Sequence, residues 1–311
     1  MALPAVLQGR LRLPAIGAPM FLVSGPELVT AQCRAGIVGA FPALNARPLE
    51  QLDEWLTQIR DGLDAKAAPF AVNLIVHRTN SRVEQEVALV QKHRVPLVIT
   101  SLGARTDVIQ AVKAYGGTVL HDIISLEHAH KAAERGVDGL IAVAHGAGGH
   151  AGRLSPFALV QEIRAWWPGP LVLSGAIATG GAILAAEAMG ADLAYLGSPF
   201  IATEESRALP DYKAMVVAAA AEDIVYTKAF SGVHGSYLRP SVRAAGFDPD
   251  NLEGINRQMN LDQRTKKGPQ AWRDIWSAGQ GVGAVTEILP VAALVDRLER
   301  EYRAARERVG L

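Results

Sequence analysis

The sequence has almost no cysteine, no excess of charge of either sign and no long apolar segment. Its one cysteine, Cys33, excludes a disulfide within the chain and fits a reducing compartment. Because Cys33 lies in the helix-like stretch LVTAQCRAG, we expect a buried apolar residue and not a nucleophile. The 31 lysines and arginines are matched by 31 acidic residues. The chain therefore lacks the basic excess that nucleic acids and anionic membranes require.

Targeting and membrane-spanning patterns are also missing from the sequence. No run of about 18 apolar residues occurs that could cross a bilayer. The first residues lack a basic segment followed by a long apolar run, so we expect no signal peptide and a cytoplasmic location. What the chain does have is a hydrophobic content of 49% in 311 residues, enough for one large domain with an appendage or for two domains.

Eight short apolar runs rich in valine, isoleucine, leucine and alanine occupy the first two thirds of the chain. They are residues 15–20, 37–41, 70–76, 96–101, 118–123, 139–144, 170–175 and 193–198. Runs without polar alternation are typical of strands buried on both faces, as in a parallel sheet. Amphipathic stretches lie between them, which predicts a (β/α)8 barrel. A doubly wound sheet is the alternative, because a sequence does not show closure.

The predicted helices have recognisable starts, and the strand–helix alternation stops after the eighth run. Ser125 and Thr179 are the predicted N-caps of the helices that follow the fifth and seventh runs. We predict a barrel over residues 1–202 and an extension that covers its mouth over residues 203–285. The charged amphipathic segment within residues 286–311 predicts a C-terminal helix that packs on the outside of the barrel.

The sixth run is followed by HGAGGHAG, residues 145–152, in which four glycines accompany two histidines. The spacing matches a dinucleotide-binding fingerprint, but the next helix is predicted to begin at Ser155 and not inside the motif. A metal site is disfavoured because no carboxylate or cysteine accompanies the histidines. The third interpretation is that the glycines let the backbone lie against a planar ligand while His150 exchanges a proton. A loop histidine bonded to backbone is its alternative.

Glycines end the seventh and eighth runs, in LSGAIATGG and YLGSPF. In barrels, the loops after these two strands commonly bind phosphate through main-chain N–H groups and a helix N-terminus. Gly175 and Gly197 would permit a close approach, and Ser198 adds a hydroxyl donor. Ordinary turns and helix caps remain the alternative.

Other strand ends carry groups that could face a ligand. Asn73 lies inside the third run, where its amide either ties strands together or contacts a ligand. Residues 18–20, Ala-Pro-Met, offer a stiff apolar surface or plain core. His121 and Asp122 end the fifth run, where the acid could instead cap the next helix. Gln280 follows a tryptophan and lies between glycines, which suits either the barrel mouth or a surface turn.

Together these segments resemble the nitronate monooxygenase family, formerly called 2-nitropropane dioxygenases, which are FMN-dependent (β/α)8 barrels. The resemblance runs from about residue 10 to residue 290. It rests on GAPM at 17–20, VNL at 72–74, GAGGHAG at 146–152, SGAIATG at 174–180, GSPF at 197–200 and WSAGQGVG at 276–283. The chain departs from the family at Gly146, where members often carry glutamate, and at Ser198, where threonine is usual.

The resemblance implies an FMN flavoprotein with His150 as the catalytic residue and no metal. It implies that the cofactor is bound by Ala18, Pro19, Met20, Asn73, Gly149, Ser174, Gly175, Ala176, Gly197, Ser198 and Gln280. The implied reaction is oxidation of an alkyl nitronate, such as propionate 3-nitronate, with O2 to a carbonyl compound and nitrite. His150 would deprotonate a neutral nitroalkane or, as imidazolium, stabilise the nitronate.

Other functions share parts of this pattern. The scaffold also resembles FMN-dependent NAD(P)H:quinone reductases and enoyl-acyl-carrier-protein reductases. A phosphosugar isomerase or aldolase without flavin would share the phosphate loops, but such enzymes usually carry a lysine or an acidic base on the strands, and the eight runs contain no lysine. A non-enzymatic binding protein is disfavoured by the many polar strand ends. The expected partners are a small nitronate or nitroalkane and O2, with NAD(P)H and a second copy of the chain as further candidates, and neither nucleic acid nor membrane.

Overall fold

Every apolar run predicted as a strand forms one. The structure is a computed structural model that describes residues 3–255, 257 and 268–310. In chain order its strands are β1 (Ala15–Gly17), β2 (Gly39–Pro42), β3 (Phe70–Ile75), β4 (Leu97–Ser101), β5 (Thr118–Ile123), β6 (Gly139–Val143), β7 (Gly149–His150), β8 (Leu171–Ser174), β9 (Leu193–Leu196), β10 (Ile224–Thr227) and β11 (Gly235–Leu238). β7, β10 and β11 form a small sheet of their own, and the other eight form one parallel sheet.

The parallel sheet closes into a barrel. Its strands are hydrogen-bonded in the order β1-β9-β8-β6-β5-β4-β3-β2. The ring closes between the two ends of this order, where Gly17 N donates to Val38 O over 2.7 Å and Val38 N donates to Ala15 O over 3.1 Å. Closure rules out the doubly wound sheet and confirms the predicted (β/α)8 barrel.

Helices alternate with the barrel strands and surround them. They are α1 (Pro26–Arg34), α2 (Glu50–Gly62), α3 (Val83–Lys92), α4 (Thr106–Lys113), α5 (Leu126–Glu134), α6 (Pro156–Arg164), α7 (Gly180–Met189), α8 (Ser198–Ile201), α9 (Pro210–Ala218), α10 (Arg239–Ala244) and α11 (Val291–Arg308). Both predicted N-caps are confirmed, since Ser125 Oγ accepts from His128 N at 3.2 Å and Thr179 Oγ accepts from Ala182 N at 3.1 Å. Within the described ranges, no helix combines the length and apolar character needed to cross a membrane.

Alternate residues of each barrel strand face inward and outward, which produces two apolar clusters. The inner cluster takes one residue from the middle or start of every barrel strand: Ile16, Ala40, Ala71, Ile99, Leu120, Ile141, Val172 and Leu193. Their chain neighbours, such as Val72 and Val98, belong to the outer cluster with the helices. The inward-facing residue two positions later on each strand therefore lies at the carboxyl end of the barrel.

After β9 the chain builds a small sheet beside the barrel mouth. β10 pairs antiparallel with β11, and β11 pairs antiparallel with β7, with Gly235 opposite His150. The histidine motif therefore follows a barrel strand and also supplies the third strand of this sheet. The predicted extension, residues 203–285, includes residues 256 and 258–267, which lie outside the described residues.

The C-terminal helix α11 packs against α7 and α1 on the outside of the barrel. It buries Val291, Leu294, Val295 and Leu298, and Glu301 Oε2 accepts a hydrogen bond from Gly180 N at 2.8 Å. The first N–H of α7 is therefore satisfied by α11. This contact removes one of the expected donors from the carboxyl end of the barrel.

Candidate active site

A cavity of about 610 Å³ opens at the carboxyl ends of the barrel strands. Its floor is formed by the inward-facing residues two positions beyond the inner cluster, one from each barrel strand: Ala18, Pro42, Asn73, Ser101, Asp122, Val143, Ser174 and Tyr195. Five of these eight residues are polar, although they lie directly above an apolar layer. Barrels carry their functional groups at this end, so the polar floor marks the candidate active site.

A chain of hydrogen bonds crosses the floor and sets the orientation of Asn73. Asn73 Nδ2 donates to Ser101 Oγ at 2.7 Å and to Ile99 O at 3.1 Å, and Ser101 Oγ donates to Asp122 Oδ2 at 2.5 Å. Both amide hydrogens of Asn73 are thus used within the barrel, which leaves its Oδ1 to accept a hydrogen bond from a ligand. The two interpretations of Asn73, a strand tie and a ligand contact, are compatible in one side chain.

Two fully buried polar atoms of the floor have no hydrogen-bond partner among the described residues. They are Asp122 Oδ1 and the hydroxyl of Tyr195. Burial raises the pKa of Asp122 to about 6, although the hydrogen bond from Ser101 lowers it. Buried polar atoms without partners cost free energy and are common where a ligand completes the site. The alternative that Asp122 caps a helix is wrong, because Ser125 fills that role.

The other sequence candidate on β5, His121, is 5% exposed and also lines the cavity. Its Nδ1 lies 2.7 Å from Thr100 Oγ1 on the neighbouring strand. Burial lowers the pKa of this imidazole to about 4, so the ring is neutral near pH 7. His121 therefore serves as a neutral strand contact beside the floor.

The loops after β8 and β9 lie together at one end of the cavity. Gly175, Ala176, Gly197 and Ser198 all line it. At Gly175, φ is +149° and a Cβ atom would lie 2.8 Å from His145 O, so only glycine fits. Ser198 Oγ accepts from Gly279 N at 2.8 Å, and its hydroxyl still has a hydrogen to donate.

The helix N-terminus at this end of the cavity belongs to α8 and not to α7. α8 begins at Ser198, directly after the last barrel strand. A short extra helix at this place commonly completes the phosphate site of barrels. The longer helix α7 contributes no residue to the cavity lining, and its first N–H groups are bonded elsewhere: Gly180 N to Glu301 and Ala182 N to Thr179. The expected anion site therefore depends on residues 175–176 and 197–198 alone.

Of the two histidines in the glycine motif, His150 lines the cavity and His145 does not. His150 is half-buried on β7, and its Nε2 lies 3.0 Å from Ser231 Oγ. Burial lowers the pKa of its imidazole to about 4, so the ring is neutral at pH 7. His145 is exposed and its ring contacts Tyr226 at a centroid distance of 5.8 Å. Among the described residues, no cluster of histidine, cysteine or acidic side chains could hold a metal ion.

The glycines of the motif are needed mainly for packing against other backbone. A Cβ atom on Gly148 would lie 2.9 Å from Gly279 N, and one on Gly152 would lie 2.7 Å from Val143 O. Only beside Gly149 is there open space, with φ at +67°. The expectation that the glycines make room for a planar ligand thus applies to Gly149, whereas Gly148 and Gly152 let the loop close onto its neighbours.

Eleven of the twelve residues predicted for the site come together around the cavity. They are Ala18, Pro19, Met20, Asn73, Gly149, His150, Ser174, Gly175, Ala176, Gly197 and Ser198. Gln280 does not line the cavity, although Gly279 and Gly281 on either side of it do. Its backbone N donates to Gly146 O at 2.8 Å, which holds the histidine loop from behind.

Sequence reasoning missed the aromatic wall above the floor. Trp272 lines the cavity, and its ring meets His150 edge-on at 4.9 Å and Phe21 at 6.2 Å. Its φ of +65° is unusual for a bulky residue and is typical of functional positions. The tryptophan that drew attention in the sequence, Trp276, instead stacks on Tyr212 at 4.9 Å. No local pattern separates the two tryptophans, because only the fold brings Trp272 to His150.

The opposite end of the cavity, away from the two glycine loops, is lined by residues of α5 and of the loop after β4. His128 and Lys131 lie there, one helical turn apart, together with Leu102, whose φ is +61°. Lys131 Nζ lies 2.5 Å from Glu127 Oε1, and both side chains are largely exposed. This end therefore combines a positive charge with access to solvent.

A closed (β/α)8 barrel with a polar floor, two glycine loops and a half-buried histidine at its mouth is the architecture of a barrel enzyme. A sequence model described as nitronate monooxygenase matches residues 75–301. The chain belongs to this family, whose members are oxidoreductases and are generally flavin-dependent. The resemblance found from the motifs is thereby confirmed.

Known proteins similar to this chain come from several bacteria. A nitronate monooxygenase of Paraburkholderia phytofirmans is 28% identical over 95% of this chain and 94% of its own. Among solved structures, nitroalkane oxidase from Streptomyces ansochromogenes has a TM-score of 0.78 and 26% identity, covering 98% of this chain and 100% of its own. FabK from Thermotoga maritima has a TM-score of 0.80 and 25% identity, covering 98% and 96%.

Proposed function

We propose that this protein binds FMN and oxidises alkyl nitronates, such as propionate 3-nitronate, with O2 to carbonyl compounds and nitrite. The observation that carries this proposal is a neutral, half-buried His150 in the same cavity as the glycine loops after β8 and β9. Family membership and the likeness to a nitroalkane oxidase support nitro compounds as the substrate class.

The residues of the cavity fit FMN. Residues 175–176 and 197–198 would hold the phosphate, through glycine backbone and the Ser198 hydroxyl. Asn73 Oδ1 is available to accept from a ring N–H, and Ala18 and Met20 offer apolar contact. The volume of about 610 Å³ is in the range of cofactor sites. When bound, FMN supplies the redox chemistry, taking electrons from the substrate and passing them to O2.

His150 has two candidate roles, and its environment favours one of them. A pKa of about 4 leaves the imidazole neutral at pH 7, so it can accept the acidic C–H proton of a nitroalkane and is not present as the imidazolium that would stabilise a nitronate. A preformed nitronate has already lost this proton and needs no base. The ring of Trp272 packs edge-on against the imidazole, and Phe21 packs on Trp272.

We also infer that the three predicted parts of the chain have separate tasks. Residues 1–202 form the barrel, residues 203–285 cover the substrate side, and residues 286–311 brace the barrel from outside. Support comes from the cavity lining, to which the middle part contributes Tyr212, Val233, Trp272 and Ser277.

A second candidate is an FMN-dependent NAD(P)H:quinone or enoyl-acyl-carrier-protein reductase. Lys131 favours it, because a cation at the far end of the cavity suits the phosphates of a nicotinamide nucleotide or of an acyl carrier. Similarity of fold does not choose between the two, since FabK and nitroalkane oxidase match the chain equally well.

An anaerobic reduction assay separates these functions. We expect ethyl nitronate to bleach the FMN-loaded protein rapidly while NADH and NADPH do not, and nitrite to form once O2 is admitted. His150→Ala should keep FMN bound and lower turnover of neutral nitroethane by about 10²-fold, as for loss of a proton-transfer group. Rapid bleaching by NADH or NADPH, with none by the nitronate, would establish the reductase instead.

A further inference from the structure

Ser231 is a buried residue outside the cavity that contacts the ring of His150. It lies on the loop between β10 and β11, is 1% exposed and is not part of the cavity lining. Its Oγ is 3.0 Å from His150 Nε2 and 2.9 Å from the carbonyl oxygen of Val233. The two residues are 81 positions apart in the chain, so only the pairing of β7 with β11 brings them together.

The surroundings of Ser231 determine the direction of these hydrogen bonds. A hydroxyl has one hydrogen to donate and can accept two further bonds. The carbonyl oxygen of Val233 can only accept, so the hydroxyl hydrogen is directed to it. The contacts of Val233 N at 3.4 Å and of the Tyr237 hydroxyl at 3.5 Å are at the outer limit of a hydrogen bond, so His150 at 3.0 Å occupies one of the two accepting positions. Ser231 therefore presents a lone pair to His150.

A lone pair on Ser231 Oγ requires a hydrogen on His150 Nε2. We propose that Ser231 is a positioning residue that holds His150 as the Nε2–H tautomer, so that Nδ1 is the atom that accepts the substrate's proton. The tautomer follows from the contacts alone, whereas the role of Nδ1 rests on the proposed function. The edge of Trp272, at 87° to the imidazole plane, holds the ring from a second direction.

The tautomer can be read directly by nuclear magnetic resonance. We expect a long-range ¹H–¹⁵N spectrum of FMN-loaded protein labelled with ¹⁵N-histidine to show His150 with Nε2 protonated and Nδ1 unprotonated. His150→Asn identifies the signals by their loss. In Ser231→Ala, both tautomers should appear. A wild-type spectrum with the proton on Nδ1 would overturn the proposal, and this measurement needs no variant at position 231 to fold.

The role of Nδ1 is tested by comparing two substrates. Ser231→Ala should lower kcat/KM for nitroethane by about tenfold, the effect of one lost hydrogen bond, and change that for ethyl nitronate less than twofold. Ser206→Ala is the matched control, because it also removes a buried hydroxyl bonded to a backbone carbonyl, but this hydroxyl bonds Ile201 and Ala208 and not His150. Equal losses with both substrates would overturn the proton-accepting role of Nδ1.

The two experiments keep the tautomer and the proposed function apart. If neither nitro compound is oxidised but the spectrum shows Nε2–H in the wild type and a mixture in Ser231→Ala, the proposed function fails and the tautomer assignment stands. If the nitro compounds are oxidised but the spectrum of Ser231→Ala is identical to that of the wild type, Ser231 does not set the tautomer and the proposal is overturned.

Discussion

Individual side chains at the cavity have their hydrogen-bonding roles fixed by buried neighbours. Ser101 accepts from Asn73 because it donates to Asp122, and Ser231 accepts from His150 because it donates to a carbonyl oxygen. As a result, Asn73 Oδ1 and His150 Nδ1 each keep a lone pair that can accept from a ligand. The cavity therefore presents acceptors, which suits a ligand that offers N–H groups or an acidic C–H.

Lys131 is the residue at which substrate charge should be recognised. Lys131→Met should raise the KM for propionate 3-nitronate about two- to fivefold, the size of an exposed ion-pair effect. The KM for ethyl nitronate, which lacks the carboxylate, should not change. Steady-state kinetics with the two nitronates measures this ratio. Lys113→Met is the control, because Lys113 pairs with Asp138 and does not line the cavity. A proportional rise for both nitronates would contradict charge recognition at Lys131.

At the scale of strands and loops, the turns after β8 and β9 differ in how much room they leave. A side chain at Gly175 would collide with backbone, whereas a Cβ atom at Gly197 would lie 3.7 Å from Ala18 Cβ and Met20 Sδ, an ordinary contact. A substitution at Gly175 thus damages the loop itself. A substitution at Gly197 instead fills the cavity while the barrel can still fold.

Gly197→Val should accordingly weaken FMN binding without unfolding the protein. We expect the Kd for FMN to rise roughly 10- to 100-fold, since overpacking a fitted site costs about 1–3 kcal/mol. Fluorescence titration of FMN into the apoprotein measures the affinity, and circular dichroism checks the fold. Gly181→Ala on the outer helix α7 controls for glycine replacement away from the cavity. Unchanged affinity in the valine variant would remove this loop from the cofactor site.

The sequence predicts elements well where local pattern decides them. Unbroken apolar runs identify all eight barrel strands, whereas the face on which Asn73 lies, shared with Ala71, is seen only in the folded barrel. β7 is only two residues long, in a glycine-rich stretch, and has no pattern of its own. Ser231 and Trp272 reach His150 only through the pairing of distant segments, so no spacing in the sequence could reveal them.

At the scale of the whole molecule, the buried floor makes stability depend on pH. The pKa of Asp122 is about 6 in the folded protein against 3.8 for an ordinary aspartate. On this carboxyl the folded state therefore binds more protons between these values, so the contribution of Asp122 to stability is lost as the pH rises through about 6. This is the opposite of the usual behaviour of a carboxyl group in an ion pair.

Asp122→Asn should remove this dependence. Relative to the wild type, the variant should gain about 2–3 kcal/mol in unfolding free energy between pH 3.5 and pH 8, since one pKa unit corresponds to about 1.4 kcal/mol. Urea unfolding at both pH values measures the gain. Asp107→Asn is the contrasting variant and should lose unfolding free energy over the same pH range relative to the wild type. Hydrogen bonding to Arg105 lowers the pKa of Asp107, so the ionised carboxylate stabilises the protein at high pH. Parallel pH curves for wild type and Asp122→Asn would contradict the buried-anion explanation.

The shared strand β7 has a consequence for how such proteins diversify. Because His150 is paired in register with Gly235 and bonded to Ser231, the segment that carries β10 and β11 cannot be exchanged independently of the histidine motif. A chimera that takes this segment from a relative must keep a hydroxyl at the position of Ser231. Without it, His150 loses the hydrogen bond that orients its ring. New specificities are more readily reached by point changes at Trp272 and Phe21, which touch the ligand space but leave that pairing intact.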